Sequence, residues 1–194
     1  VADGVYDYQV TVADASGKQT VLERTVTIDL TAPDPPAVAS PAADAWLGSA
    51  TDVFSGTTND GSGSGVATLY WNEASRGGGA PAIGDPSWNA VTVEADGSWS
   101  ATVSPGAPGL RDLYLYAEDA AGNVSSVATH PFGLDLSAPT VASDTGTDTV
   151  YRNGDFTLSG TFSDISGLAS VSVATSTDNV TFSPADPATA TVDN

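Results

Sequence analysis

GVYDYQVTVADASGK, residues Gly4 to Lys18, runs on to close through VTIDLTAP at Val26 to Pro33. The same passage returns re-spelled as GLRDLYLYAEDAAGN, Gly109 to Asn123, closing through FGLDLSAP at Phe132 to Pro139. Asp14 falls on Asp119, Gly17 on Gly122, Asp29 on Asp135 and Pro33 on Pro139, the last pair 106 residues apart. Within each copy the residues alternate as a half-buried strand does: Tyr8, Val10 and Val12 against Gln9 and Thr11, then Leu113, Leu115 and Ala117 against Tyr114 and Tyr116. An Asp-Ala-Ser-Gly or Asp-Ala-Ala-Gly turn follows, where Gly can take the left-handed conformation that reverses a chain. A displacement of this length exceeds a solenoid repeat and matches one complete small domain, so the chain reads as like modules joined end to end.

A second echo extends the count. Phe54-Ser-Gly-Thr with Ser64-Gly65-Val66-Ala67 reappears as Leu158-Ser-Gly-Thr with Ser166-Gly167-Leu168-Ala169. Residues 1–33 then hold the closing strands of one unit, 34–138 a complete unit and 139–194 the opening strands of a third. Two explanations fit this division: a window cut from a longer protein, or copies that complete one another by donating strands. The first is the simpler, since nothing in the residues argues for closure between copies.

Composition sets the partners. With 24 Asp+Glu against 5 Lys+Arg the formal charge is −19, which excludes nucleic acid and anionic membrane surfaces and favours cations. There is no Cys, hence neither a disulfide framework nor a thiolate zinc site, and each module of about 100 residues must stand on its apolar core. Scarce Lys, abundant Gly, Ser, Thr, Ala and Val, and no long apolar run suggest a secreted or surface-attached β-rich protein whose segment makes no membrane contact.

The remaining pattern is strand and turn. Trp99, Ala101 and Val103 alternate with Ser100 and Thr102, and turns fall at Asp60-Gly61, Asp96-Gly97 and Asn153-Gly154. About seven short strands per module predict an antiparallel sandwich, with A near Ala37, B near Phe54, C at 66–71, E at 98–103, F at 110–117 and G at 124–134. Trp71, Trp99, Phe54 and Leu115 read as core; Ser75 to Asn89, with three consecutive Gly and two Pro, is the least regular connection. DGSWSATV at 96–103, the Tyr-rich strand ending in EDAAGN and the close through LDLSAP resemble the bacterial immunoglobulin-like repeats of large surface adhesins. That resemblance covers 34–138 fully and both flanks in part. It implies an all-β chain of tandem immunoglobulin-like antiparallel sandwich modules, one complete and two partial. A Lys-based isopeptide crosslink does not suit it, because the single Lys, Lys18, lies in a turn.

On such a sandwich the B–C and F–G loops face the incoming linker. Asp60 lies in the first loop, Asp119 in the second and Asp29 in the linker, three carboxylates suited to Ca²⁺. Asp135 and Asp164 repeat two of these positions at the next junction. The resemblance adds that related adhesin repeats bind calcium at module junctions and stiffen there. The plainer reading is that Asp119 caps a hairpin turn, Asp29 and Asp135 flank a Pro-bearing linker and Asp60 favours its Gly turn. A second candidate is aromatic: Tyr70, Tyr114 and Tyr116 fall on the outward register of neighbouring strands, with His130 beside them, and would form an exposed platform for a surface glycan or a protein. Cross-strand tyrosines serving only the sheet are the alternative.

Catalysis finds little support, since the one His precedes a Pro and no Ser nucleophile sits in a recognisable elbow. Asn123-Val-Ser and Asn179-Val-Thr match glycosylation sequons, which arise often by chance. The expectation is a non-enzymatic segment of an adhesin stalk or filament, its partners being neighbouring modules of the same chain; the alternative is an accessory, glycan-binding module of a secreted hydrolase.

Overall fold

Alternation and turn chemistry produce strands throughout the computed structural model, which describes residues 1–144, 151, 153–154 and 158–184 and holds no helix among them. Two compact units divide the chain, Val1–Leu136 and Ser137–Asn194.

The first unit opens with β1 (Gly4–Ala13) and β2 (Gln19–Ile28), an antiparallel hairpin in unbroken register from Gly4 opposite Ile28 to Ala13 opposite Gln19. Asp14 closes its turn: the carboxylate accepts the Ser16 and Lys18 amides at 2.9 Å each, while Gly17 takes φ 84°. Eight further strands follow: β3 (Ala37–Ser40), β4 (Trp46–Leu47), β5 (Asp52–Thr57), β6 (Val66–Ser75), β7 (Asn89–Val91), β8 (Ser98–Val103), β9 (Gly109–Asp119) and β10 (Ala128–Leu134). They form two sheets, β3-β5-β8 and β4-β10-β9-β6-β7. All neighbours are antiparallel except the short β4, which runs parallel to β10.

One core joins the two sheets. Phe54, Trp99, Ala101 and Val103 from the smaller sheet meet Leu47, Leu69, Leu113, Leu115, Phe132 and Leu134 from the larger. Each large side chain withdrawn from water in this way contributes about 1.5–3 kcal/mol. Trp71, read as core, is half-buried and packs against the cluster's edge. The recurring Ser-Gly-Thr has a steric cause. A Cβ on Gly56 would lie 1.9 Å from the Ala37 carbonyl oxygen, so β3 and β5 pair closely only with glycine there.

In the second unit β11 (Thr140–Ser143) pairs antiparallel with β12 (Gly160–Ser163), and a Cβ on Gly160 would meet the Ala142 carbonyl oxygen at 2.3 Å. Among its described residues two further short strands, β13 (Ala174–Thr175) and β14 (Ser183–Pro184), also pair antiparallel.

His130 corrects its expected place beside the tyrosines. It alternates with Phe132 and Leu134 on the inward side of β10, buried, its ring edge-on to Phe54 at 6.2 Å. The exposed tyrosine platform is also corrected. Tyr114 and Tyr116 do lie on the face away from the main core, but they are 5% and 3% exposed. The Ser75–Asn89 connection folds back over them. Trp88 meets Tyr116 edge-on at 4.8 Å, Tyr70 stacks on Tyr116 at 4.8 Å, and the Gly79 amide donates to the Tyr114 hydroxyl at 3.2 Å. The Trp88 indole N–H is satisfied by the Ala82 carbonyl at 2.9 Å, which lets the ring be buried. Covering three aromatic rings removes more apolar surface from water than an open loop would, and this outweighs the ordering of a Gly-rich segment.

Candidate metal centre

Three segments of the first unit converge where the hairpin meets the sandwich. Asp29 directly follows β2, Asp60 lies in the β5–β6 loop and Asp119 ends β9. One carboxylate oxygen of each lies within 4.8 Å of the other two.

The surrounding hydrogen bonds hold the carboxylates in place. Asp119, 2% exposed, accepts the Ala121 and Asn123 amides on Oδ1 at 2.9 and 2.8 Å, and the Asn123 side-chain amide on Oδ2 at 2.8 Å. Asp29 accepts the Thr31 amide at 3.1 Å and the Ser64 amide at 2.6 Å. The Ser64 hydroxyl, followed by the Ser64 and Thr31 amides, holds the Asp29 carboxyl below its ordinary value of 3.8, so it is ionised at neutral pH. Asp60 accepts the Gly65 amide on Oδ2 at 2.7 Å. Its Oδ1 is shut off from solvent and has no donor.

That orphan oxygen is chemically informative. A buried carboxylate oxygen without a partner costs about 1–3 kcal/mol, and more when charged. Three carboxylates this close also repel one another. A cation answers both costs, and the donors are all hard oxygens, with no thiolate or imidazole among them, which suits Ca²⁺ rather than zinc. Ca²⁺ takes six to eight oxygens in flexible geometry and fills the remainder with carbonyls and water. Gly63 keeps the site open: a Cβ there would lie 2.4 Å from Asp60 Oδ2 and 2.8 Å from Asp29 Oδ2. Beside the cluster lies a cleft of about 380 Å³ whose lining includes Asp3, Asp29, Asp34 and Asp60.

The other two candidate aspartates fall in different units. Asp135 follows β10 in the first unit, its amide donating to the Leu47 carbonyl at 2.9 Å. Asp164 lies in the second unit, where its carboxylate accepts the Ser166 amide at 2.9 Å and the Ser166 hydroxyl at 2.6 Å, as a turn-closing Asp does.

Asn123 is a site residue that motif reading missed. Its side-chain nitrogen, the atom a glycan would occupy, donates both to Asp119 and to the Asp29 carbonyl at 3.1 Å, tying loop to linker. The signal available was its place at the end of the Asp-Ala-Ala-Gly-Asn turn. Also missed was a basic pair between the strands. Arg111 joins Glu73, and Arg76 reaches Asp44 at 3.0 Å and Asp112 at 3.5 Å. These use two of the chain's few cations structurally.

No family model matches the sequence, and no curated protein matches it. Among solved structures the chain is similar to the fibronectin(III)-like modules of Clostridium thermocellum CbhA, at 12% identity and TM-score 0.42 over 69% of this chain and 64% of that one. It is also similar to a structure described for host cell surface retention of a 1.5-MDa bacterial ice-binding adhesin, at 17% identity and TM-score 0.32 over 73% of this chain and 46% of that one. The chain thus spans less than two thirds of either, and neither overlap assigns it to a family.

Proposed function

We propose that this chain is a non-enzymatic, extracellular spacer of immunoglobulin-like type from a secreted or surface-attached bacterial adhesin, in which Ca²⁺ held by Asp29, Asp60 and Asp119 locks the hairpin's exit to the sandwich. The observation that carries the reading is the buried, donorless Oδ1 of Asp60 within a cluster of three carboxylates. Asp29 belongs to the connecting segment while Asp60 and Asp119 belong to loops of the sandwich. A cation bridging them couples the hairpin to the sandwich without a large apolar interface, and stiffness is what a spacer under tension requires. The internal repeat, the acidic surface and the resemblance of the DGSWSATV, EDAAGN and LDLSAP passages to adhesin repeats support the same role.

Absence of Cys makes a direct test simple. Spin labels at Thr20→Cys on the hairpin and Thr102→Cys on β8, both exposed sites, report the distance between hairpin and sandwich by electron–electron resonance. The distribution is expected to be narrow in calcium and broad in chelator. Superimposable distributions under the two conditions would refute a calcium-stiffened junction.

A further inference from the structure

The turn after β1 and the turn after β9 are one loop built twice. In the first, the Asp14 amide donates to the Lys18 carbonyl at 2.9 Å and the Gly17 amide to the Asp14 carbonyl at 3.0 Å; in the second, Asp119 donates to Asn123 at 3.0 Å and Gly122 to Asp119 at 3.3 Å. The aspartate Oδ1 accepts the amides two and four residues on in both, and the glycines share the left-handed region at φ 84° and 91°. At the fifth position the loops diverge. Asn123 places a neutral amide between Asp119 and the Asp29 carbonyl. Lys18, at the same point of the same loop, is the chain's single lysine.

We infer that this fifth loop position decides where the junction's cation comes from: asparagine leaves the carboxylates to a divalent ion from solution, whereas lysine carries the cation in the chain and makes such a junction independent of metal. The inference rests on the calcium reading of the Asp29, Asp60 and Asp119 cluster. An asparagine amide satisfies two acceptors and adds no charge, so the repulsion among the carboxylates and the unpartnered Asp60 Oδ1 both persist. An ammonium offers three donors, one for each carboxylate, and neutralises part of their charge. Its four-carbon stem is longer than that of asparagine and carries the charge beyond the reach of the Asn123 amide. Tethered to the loop, it is present at a high effective concentration and repels an incoming divalent ion.

The test uses the full chain, wild type beside Asn123→Lys and Asn123→Gln, with thermal melts and calcium calorimetry in calcium and in chelator. Asn123→Lys is expected to melt above the wild type in chelator, to lose the calcium-induced rise in Tm, and to bind calcium at least about tenfold more weakly. Asn123→Gln, longer but neutral, is expected to keep the calcium response. If the wild type responds to calcium and Asn123→Lys binds it as tightly, or if Asn123→Gln loses the response equally, the inference falls while the calcium reading stands. Failure of Asn123→Lys to fold also overturns it, because a built-in cation must stabilise the metal-free junction. A wild type indifferent to calcium overturns the calcium reading itself.

Discussion

Replacing Asp60 with Asn should reverse its sign with calcium. Asp60 has one oxygen bound by the Gly65 amide and the other buried without a donor, an arrangement that costs about 1–3 kcal/mol unless a cation answers it. Its carboxylate also lies within 4.8 Å of that of Asp119; two unit charges at this distance repel by about 3 kcal/mol at the effective dielectric of a protein near its surface. The hydrogen bonds that Asp119 receives and the water reaching the cluster's rim absorb part of that. A net gain of about 1–3 kcal/mol is therefore expected for Asp60→Asn in chelator, a rise of roughly 3–10 °C in Tm for a unit of this size. The amide keeps an acceptor for Gly65 and removes one charge. In calcium the order inverts, since the wild type gains about 2.7 kcal/mol when the ion stands at a hundred times its dissociation constant and the variant gains little. Calorimetric melts of both chains, in calcium and in chelator, give four numbers that must cross. If Asp60→Asn lowers the melting temperature equally in both conditions, Asp60 is a turn former and the reasoning from its orphan oxygen fails.

Three other changes have definite outcomes. Gly63→Ala sets a methyl 2.4 Å from Asp60 Oδ2 without any left-handed backbone to strain; calcium affinity measured by calorimetry should fall about tenfold or more, and the melt in chelator should fall as well, because the carboxylates held by the Gly65 and Ser64 amides must shift. Trp88→Ala should destabilise the first unit by about 3 kcal/mol and open the Gly77–Gly84 stretch to nonspecific proteolysis, whereas unchanged cleavage would mean that Trp88 does not hold this connection down. Burial pushes the His130 imidazole below its ordinary 6.5. The unfolded chain then binds the proton first, so this contribution is full above pH 6.5 and is lost as pH falls through the depressed folded value. His130→Leu should flatten the melting temperature between about pH 7 and 5 relative to wild type, and an unaltered pH profile would place the acid sensitivity elsewhere.

How far the sequence could be read depended on which force set each element. β8 was legible to the residue, because Trp99, Ala101 and Val103 alternate with small polar residues and nothing else competes. β9 was nearly so. The two-residue β4 was not, since its parallel pairing with β10 is a tertiary choice that leaves no period in the residues. The tyrosines show the limit most clearly. Alternation correctly set Tyr114 and Tyr116 opposite the main core, but strand periodicity cannot reveal that a Gly- and Pro-rich connection returns to cover them; the hint was Trp88, a large aromatic near the end of an irregular stretch. His130 was misread by ignoring its register with Phe132 and Leu134, two and four residues on. The aspartate cluster was legible because loop order in a sandwich dictates which loops face the linker. Its hydrogen bonding was not, for the pairing of each carboxylate oxygen depends on turn geometry at Ser64, Gly65 and Asn123, and only that geometry isolates Asp60 Oδ1 as the atom without a donor.

Titration calorimetry of Ca²⁺ into the full chain decides whether the Asp29, Asp60 and Asp119 cluster binds calcium. Saturable binding of about one ion by this site is expected, abolished in Asp60→Ala/Asp119→Ala and not reproduced by Mg²⁺, which demands a stricter octahedral set of oxygens. Heats no larger than dilution, or an isotherm that the double substitution leaves intact, would contradict it.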